Sequence, residues 1–171
     1  MKIGIDMGHT LVGPDYGEVG YKNEFTLTRD LGNVVINELK RLGNTVINCT
    51  VNQSNSIEKS LSDRVDKANS NDIDIFVSIH FNVGSENGSQ IYTLNGSKFP
   101  EANNVLNRLV SLGFRNKGIK DGSDLYLLKN IKSKSMIIEV AFLDSKEDMS
   151  RYNNYGPMII GKAIAKGLTF K

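Results

Sequence analysis

Two hydrophobic periodicities alternate along this chain, one typical of strands and the other typical of amphipathic helices. Apolar residues recur about every 3.6 residues in four segments, which predicts helices over residues 24–42, 56–70, 101–114 and 155–168. Six shorter apolar runs are typical of strands, at residues 2–7, 46–51, 73–80, 90–94, 125–128 and 136–140. This order predicts an α/β sandwich in which helices cover both faces of a mainly parallel sheet.

The length and the composition of the chain are those of one folded domain. Its 171 residues are enough for a single apolar core, and the sequence contains neither an internal repeat nor a linker. The single cysteine, Cys49, excludes a disulfide framework, and the alternating residues around it predict a half-buried strand position. The formal net charge of +2 is too small to favour nucleic acid as a partner.

No targeting or membrane-spanning segment is recognisable in the sequence. Asp6 interrupts the apolar residues at the N-terminus, where a signal peptide would have a continuous apolar core. No apolar run approaches the length of about 20 residues that a membrane helix requires. We therefore expect synthesis in the cytoplasm without a signal peptide, and no integral membrane segment.

The two histidines of the chain, His9 and His80, both lie where predicted strands end. Because parallel strands end at the same edge of a sheet, we expect the two imidazoles to emerge at that edge together. Glu24 opens the first predicted helix, which starts from the same edge. Two imidazoles and one carboxylate are a recurrent ligand set for catalytic zinc, with a fourth position left for water. These three residues are therefore candidate metal ligands.

A second carboxylate, that of Glu139, lies in the otherwise apolar strand segment from Met136 to Phe142. A carboxylate in such a run is costly unless it is paired, protonated or close to a metal, so Glu139 is the candidate general acid and base. Each residue also has a structural interpretation: a hydrogen-bonded histidine, a helix-start charge at Glu24 or an ion pair at Glu139. Because the chain has no HExxH or CxxC motif, the spacing of its residues leaves both interpretations open.

Several segments of the sequence, in their order, resemble a known enzyme family. They are Ile3 to His9, Asn23-Glu24, Leu61 to Arg64 followed by Ala68-Asn69, Ser78 to Asn82, and Ile138 to Leu143. The chain resembles the zinc-dependent N-acetylmuramoyl-L-alanine amidases, which occur in bacterial cell-wall hydrolases and phage endolysins. The resemblance extends from Ile3 to the last helix, and its most specific part is the block from Ser78 to Asn82 combined with Glu139.

The resemblance implies a role for each residue that matches the motifs of the family. His9, Glu24 and His80 would bind zinc, and Glu139 would be the catalytic residue. The substrate would be bacterial peptidoglycan, in which the amide bond between N-acetylmuramic acid and L-alanine would be hydrolysed. Asn82 would either orient a ligand or the substrate, or cap the turn that follows the strand.

The resemblance also implies the organisation of the protein and its place of action. The fold would be a single-domain three-layer sandwich with about six strands in a mixed, mainly parallel sheet. Residues 1–171 are expected to form one catalytic amidase domain, with no wall-binding domain in this chain. Without a signal peptide, such an enzyme would act on the cell wall after release or lysis, as an endolysin or an autolysin. The oligomeric state stays open.

Three alternatives from other classes stay open on the sequence. Another zinc peptidase or deacylase on the same fold would use the same ligand set. A non-catalytic wall-binding module with a dead site would lack one of the four polar residues, and none is missing. A nucleotide-binding α/β protein would need a glycine-rich phosphate motif, whereas the first strand here continues as Asp6-Met7-Gly8-His9-Thr10.

Overall fold

Strands and helices alternate along the chain in the computed structural model, which describes residues 1–171. The six strands are β1 (Lys2–Met7), β2 (Thr45–Asn48), β3 (Ile75–Asn82), β4 (Ser89–Thr93), β5 (Asn116–Asp121) and β6 (Lys134–Phe142). The five α-helices are α1 (Glu24–Arg41), α2 (Ile57–Asn69), α3 (Pro100–Ser111), α4 (Tyr126–Asn130) and α5 (Lys146–Thr169). None of these helices combines the length and the apolar character that a membrane span requires.

All six strands belong to one sheet, in the order β2-β1-β3-β6-β4-β5. The strands β2, β1, β3 and β6 are parallel, whereas β4 is antiparallel to β6 and parallel to β5. The predicted fold class, a mixed and mainly parallel sheet with helices on both faces, is confirmed. Because β1, β3 and β6 are adjacent and parallel, their carboxyl ends meet at one edge of the sheet.

Helices pack on both faces of the sheet, but the two apolar clusters differ in size. The face packed against α1, α3 and α5 contributes to a cluster of 29 buried residues, which includes Ile3, Val77 and Ile138. The face packed against α2 and α4 contributes to a cluster of only nine buried residues, which includes Phe76 and Ile137. Successive side chains of a strand point to opposite faces, so the neighbouring residues Ile137 and Ile138 of β6 belong to different clusters.

Two helices have residues at their ends that favour a helix start or a helix stop. Helix α2 begins after Ser56, whose Oγ accepts a hydrogen bond from the backbone N–H of Lys59 at 3.1 Å. Helix α1 is followed by Gly43, whose φ of 84° lies in the left-handed region that favours glycine. Local sequence therefore sets where these helices start and stop.

The prediction near residue 120 is wrong in two respects. The segment 125–128, predicted as a strand, contributes instead to helix α4, where Leu127 and Leu128 are both buried. A run of four apolar residues is too short for its periodicity to distinguish a strand from a helix. The edge strand β5 was not predicted, because its sequence Asn-Lys-Gly-Ile-Lys-Asp has one apolar residue and the lysines that edge strands commonly carry.

Other boundaries differ from the prediction by a few residues. Strand β3 continues two residues beyond His80, and β2 ends at Asn48, before Cys49, which is fully buried rather than half-buried. Helix α5 starts at Lys146, nine residues before the predicted start at Tyr155, and has a kink at Gly156. The first turns of this helix were not predicted because most of their residues are polar, since only one side of these turns packs inward.

Candidate metal centre

Three residues from distant segments of the chain meet at the carboxyl edge of β1 and β3. His9 follows β1 by two residues, His80 lies within β3, and Glu24 is the first residue of α1. One nitrogen of each imidazole and one carboxylate oxygen of Glu24 all lie within 4.8 Å of one another. The two rings are in edge-to-face contact, with their centroids 4.8 Å apart. The structure thus brings together the three residues that the sequence suggests as metal ligands.

His9 lies between two carboxylates. Its Nδ1 is 2.8 Å from Oδ1 of Asp15, and its Nε2 is 3.0 Å from Oε2 of Glu24. A neutral imidazole carries a proton on only one nitrogen, so this arrangement requires either a protonated ring or another cation between the ring and Glu24. Burial lowers the pKa of His9, but the hydrogen bonds to Asp15 and Glu24 outweigh burial and raise this pKa to about 9.

The buried carboxylate of Glu24 is fixed by contacts to both of its oxygens. Oε1 accepts a hydrogen bond from the backbone N–H of Phe81 at 3.0 Å and lies 3.1 Å from Nδ1 of His80. Oε2 accepts from the backbone N–H of Glu18 at 2.9 Å, in addition to its contact with His9. Burial raises the pKa of Glu24, but the hydrogen bonds from His80 and His9 dominate and hold this pKa well below its usual range. The site therefore keeps a fixed negative charge beside two imidazoles.

This donor set fits a zinc ion. Zinc binds imidazole nitrogens and carboxylate oxygens at about 2.0–2.2 Å, so the ligand atoms of one ion lie a few ångströms apart, as they do here. A divalent cation would also satisfy the charge requirement at Nε2 of His9 without a proton there. The remaining nitrogen of His9 faces Asp15, which is how a carboxylate commonly orients a metal-ligating histidine.

Two glycines lie so close to the candidate ligands that a side chain at either position would collide with them. A Cβ on Gly8 would lie 2.3 Å from Cε1 of His80. A Cβ on Gly17 would lie 2.6 Å from Cδ2 of His9 and 2.8 Å from Oε2 of Glu24. The φ of Gly17 is 76°, which side chains rarely adopt. Any larger residue at these positions would displace the imidazoles.

Glu139 lies on β6 directly beside His80 on β3. The two residues are in register, and residues opposite each other in neighbouring strands point to the same face of the sheet. The Oε2 atom of Glu139 is buried and has no hydrogen-bond partner. Burial raises the pKa of this carboxyl, His80 and His9 lower it and Glu24 raises it, to a net value of about 7. Glu139 can therefore both accept and release a proton near neutral pH.

The row of polar residues continues onto β4. Gln90 is in register with Glu139 on the other side of β6, and it is buried. Its Nε2 donates a hydrogen bond to Oη of Tyr92 at 3.1 Å, whereas its Oε1 has no partner. His80, Glu139 and Gln90 thus form a polar row across three neighbouring strands on one face, with unpartnered oxygen atoms at two of its three members.

Asn82 participates in a turn at the end of β3. Its Oδ1 accepts a hydrogen bond from the backbone N–H of Val83 at 2.8 Å, and its carbonyl oxygen accepts from the N–H of Leu143 at 2.7 Å. These contacts are those of a residue that ends a strand and starts a turn. A role of Asn82 in orienting a ligand or the substrate stays a prediction.

Asp15 and Gln90 are site residues that the sequence analysis did not identify. Asp15 lies in the loop between β1 and α1, and its only sequence signal is that a metal-ligating histidine commonly needs a carboxylate partner. Several acids of the chain meet that description equally well. No pattern in the sequence indicated Gln90 as a residue of the site, because its position beside Glu139 depends on the pairing of β4 with β6.

Comparisons with known proteins identify relatives of this chain. The model of a family described as N-acetylmuramoyl-L-alanine amidase matches residues 3–169. The uncharacterized protein CPE1502 of Clostridium perfringens is 30% identical over 179 residues, which cover 100% of this chain and 52% of that protein. The N-acetylmuramoyl-L-alanine amidase LytC of Bacillus subtilis is 31% identical over 109 residues, which cover 59% of this chain and 22% of LytC.

A solved structure has the same fold over the whole chain. The catalytic domain of the CD27L endolysin, which targets Clostridia Difficile, superposes with a TM-score of 0.92 and is 26% identical. The superposition covers 100% of this chain and 98% of that domain. By contrast, the chain spans about half the length of the Clostridium perfringens relatives that it matches.

Proposed function

Because the chain belongs to the N-acetylmuramoyl-L-alanine amidase family, we propose that it hydrolyses the amide bond between N-acetylmuramic acid and L-alanine in peptidoglycan. We propose His9, Glu24 and His80 as the ligands of one zinc ion and Glu139 as the catalytic residue. The observation that carries this proposal is the meeting of the three ligand groups beside Glu139, whose carboxyl lies in register with His80. Residues of this kind in this arrangement suit the metal-assisted hydrolysis of an amide.

A zinc ion held by three protein ligands lowers the pKa of water to about 7 and polarises a carbonyl group. The residues of the chain prepare this site before the ion binds. Glu24 supplies the negative charge, and its backbone partners Glu18 and Phe81 hold both of its oxygens in place. Asp15 accepts from Nδ1 of His9, which leaves Nε2 free to face the ion.

Glu139 moves the proton in the proposed reaction. Its unpartnered Oε2 accepts a proton from the attacking water molecule as the bond between oxygen and the lactyl carbonyl carbon forms. The same carboxyl then returns this proton to the amino group of L-alanine as the C–N bond breaks. The products are the free lactyl carboxylate and a peptide with a new amino terminus. The pKa of this carboxyl is about 7 in the metal-free site, and the charge of a bound zinc ion would lower it, which favours the form that accepts the proton.

We also propose that residues 3–169 are the catalytic unit of the protein and that the unit acts on the cell wall. The similarity to the CD27L catalytic domain supports this assignment, because it covers 98% of that domain.

The test is hydrolysis of purified peptidoglycan by the zinc-loaded protein. We expect new L-alanine amino termini, detected by labelling of free amines followed by acid hydrolysis and chromatography. Termini of other amino acids would favour another zinc peptidase on this fold. The absence of new termini, together with retained binding to cell walls, would favour a non-catalytic module.

The His80→Ala variant tests the metal site within the same assay. We expect this variant to lose zinc, measured by elemental analysis after zinc loading and dialysis, and to lose hydrolysis as a consequence. Circular dichroism would verify that the variant is folded. Retention of a full equivalent of zinc by the folded variant would contradict the assignment of His80 as a ligand.

A further inference from the structure

Two arginines reach the carboxyl end of β1 from helices on opposite faces of the sheet. Arg29 belongs to α1, and Arg64 belongs to α2. Both guanidinium groups donate to the carbonyl oxygen of His9, each at 2.6 Å, and both also donate to that of Val51, at 3.3 and 3.2 Å. The backbone of a candidate metal ligand is thus held by two cationic side chains at once.

The same side chains hold the two residues that precede His9. Arg29 donates to the carbonyl oxygens of Met7 at 2.9 Å and of Gly8 at 2.8 Å, and Arg64 donates to that of Met7 at 3.1 Å. Three consecutive carbonyl groups therefore point toward the two arginines. This arrangement fixes the direction in which the chain leaves β1.

The backbone of His9 has the conformation that most needs such support. Its φ of 64° lies in the left-handed region, which is unfavourable for a residue other than glycine. A conformation of this kind persists only where the surrounding structure holds it. Here its carbonyl oxygen accepts the two shortest hydrogen bonds that the arginines make to the backbone.

A role in simple stabilisation does not account for both arginines. The six hydrogen-bond acceptors of Arg29 are all uncharged, and Arg64 is its close cationic neighbour. Burial and then the charge of Arg64 lower the pKa of Arg29 to about 10, although the charges of Asp6 and Asp15 raise it. Two guanidinium groups that bind the same pair of carbonyl oxygens repel each other. A single arginine would therefore link the end of β1 to Val51 with less electrostatic repulsion.

We propose that Arg29 and Arg64 are positioning residues that fix His9 in the geometry required for metal binding. The proposal rests on the zinc site of the proposed function. Arg64 also supports the imidazole through Ser60, to which its Nε donates at 3.3 Å and whose Oγ donates to Asp15 at 2.7 Å. The arginines thus control the backbone of His9, and Arg64 additionally supports the carboxylate that orients its ring.

Arg29 is the better residue for a test. Substitution of Arg64 would leave the fully buried carboxylate of Asp6 without its ion-pair partner, which would destabilise the fold itself. Arg29 has no carboxylate that would be left unpaired, and it is only partly buried. The variants Arg29→Met and Arg29→Lys both keep the aliphatic stem. Lysine also keeps the charge, but its single ammonium group lacks the forked geometry of the guanidinium group.

The matched control is Arg151→Met on α5. Arg151 is partly buried, forms hydrogen bonds with Glu147 and lies 5.7 Å from the ring centroid of Phe114. It also lies 3.9 Å from the buried carboxylate of Asp148, so its loss should lower stability at least as much as the loss of Arg29. Its substitution therefore removes a guanidinium group from a helix without touching His9. Any general effect of such a loss on stability will appear in this variant as a lower Tm.

The experiment measures zinc affinity by competition with a chromophoric chelator and records the visible spectrum of the cobalt-substituted proteins. For both Arg29 variants we expect zinc affinity to fall about 10-fold or more, with a changed cobalt spectrum, as for other residues that orient ligands. We expect Arg151→Met to keep the zinc affinity and the cobalt spectrum of the unsubstituted protein.

Two results would overturn the positioning role. One is a zinc affinity in both Arg29 variants within twofold of that of the unsubstituted protein. The other is an equal loss of affinity in Arg151→Met, which would make the loss a general effect of reduced stability. Failure of the unsubstituted protein to bind zinc would instead contradict the metal site, and with it the positioning role. The same titrations therefore distinguish the two failures.

Discussion

The two faces of the sheet bury different kinds of side chain. The face under α1, α3 and α5 is apolar along the parallel strands, as in Ile75, Val77 and Ile79 of β3. On the opposite face, β3 contributes only Phe76 to the apolar cluster and then presents Ser78 and His80. The first face contributes most of the hydrophobic stabilisation, and the second contributes the polar groups of the candidate site.

The difference shows how a buried surface can hold polar groups. Asp6, which is fully buried, accepts a hydrogen bond from Ser78 at 2.6 Å and forms an ion pair with Arg64. Each polar group beneath the candidate site therefore has a partner, as burial requires. Unpartnered oxygen atoms occur nearer the edge, at Glu139 and Gln90, where a substrate could satisfy them. The second face thus has fewer apolar contacts, and its polar groups are already arranged into a candidate site before a ligand binds.

The largest effect is expected from Glu139→Gln. The substitution removes the group that accepts and returns the proton, so hydrolysis of peptidoglycan should fall about 10²- to 10⁴-fold. Zinc content should not change, and stability should not decrease, because a buried unpartnered carboxylate oxygen is replaced by a neutral group. Initial rates, elemental analysis and urea denaturation would check the three expectations. Undiminished hydrolysis would remove Glu139 from the mechanism.

Truncation of two neighbouring isoleucines of β6 would compare how much each face contributes to the free energy of unfolding. Ile138 is completely buried in the larger cluster, and Ile137 is 7% exposed in the smaller one. We expect Ile138→Ala to lower the free energy of unfolding by about 4 kcal/mol and Ile137→Ala by about 2 kcal/mol, within the usual range for such truncations. Urea denaturation of the zinc-free proteins measures both values. A larger loss at Ile137 would contradict the assignment of stability to the first face.

A smaller effect, confined to the site, is expected from Asp15→Asn. Loss of the carboxylate that faces Nδ1 of His9 should weaken zinc binding about 10- to 100-fold. The control is Asp144→Asn, which removes the same charge from a residue that accepts hydrogen bonds from Gly84 and Ser85 instead. Equal zinc affinities for the two variants, measured by chelator competition, would show that Asp15 does not orient His9.

The smallest effect is expected from the removal of a helix cap on either face. Ser56→Ala deprives α2 of the hydrogen bond to the N–H of Lys59, and Ser145→Ala deprives α5 of the one to Asp148. Each variant should lose about 1 kcal/mol of the free energy of unfolding, because a cap is a local interaction. Clearly unequal losses would mean that the difference between the faces extends to the ends of their helices.

Much of the architecture could be predicted because periodicity reports burial directly. Helix α1 and strand β1 lie where the spacing of their apolar residues places them. The meeting of His9 and His80 follows from the rule that parallel strands end at one edge, and Glu24 follows from the start of the next helix. These predictions needed only local pattern and the chemistry of the residues.

The sequence by itself determined the fold class and suggested which side chains carry the chemistry. Only the tertiary structure decided that Asp15 is the carboxylate at Nδ1 of His9, that Gln90 lies beside Glu139, and that the cationic groups of Arg29 and Arg64 converge on one carbonyl oxygen. Periodicity records which face of an element is buried, and it has no information on which distant residue packs against that face. Contacts between residues far apart in the chain depend on strand order, register and loop path, and these are set by the packing of the whole molecule.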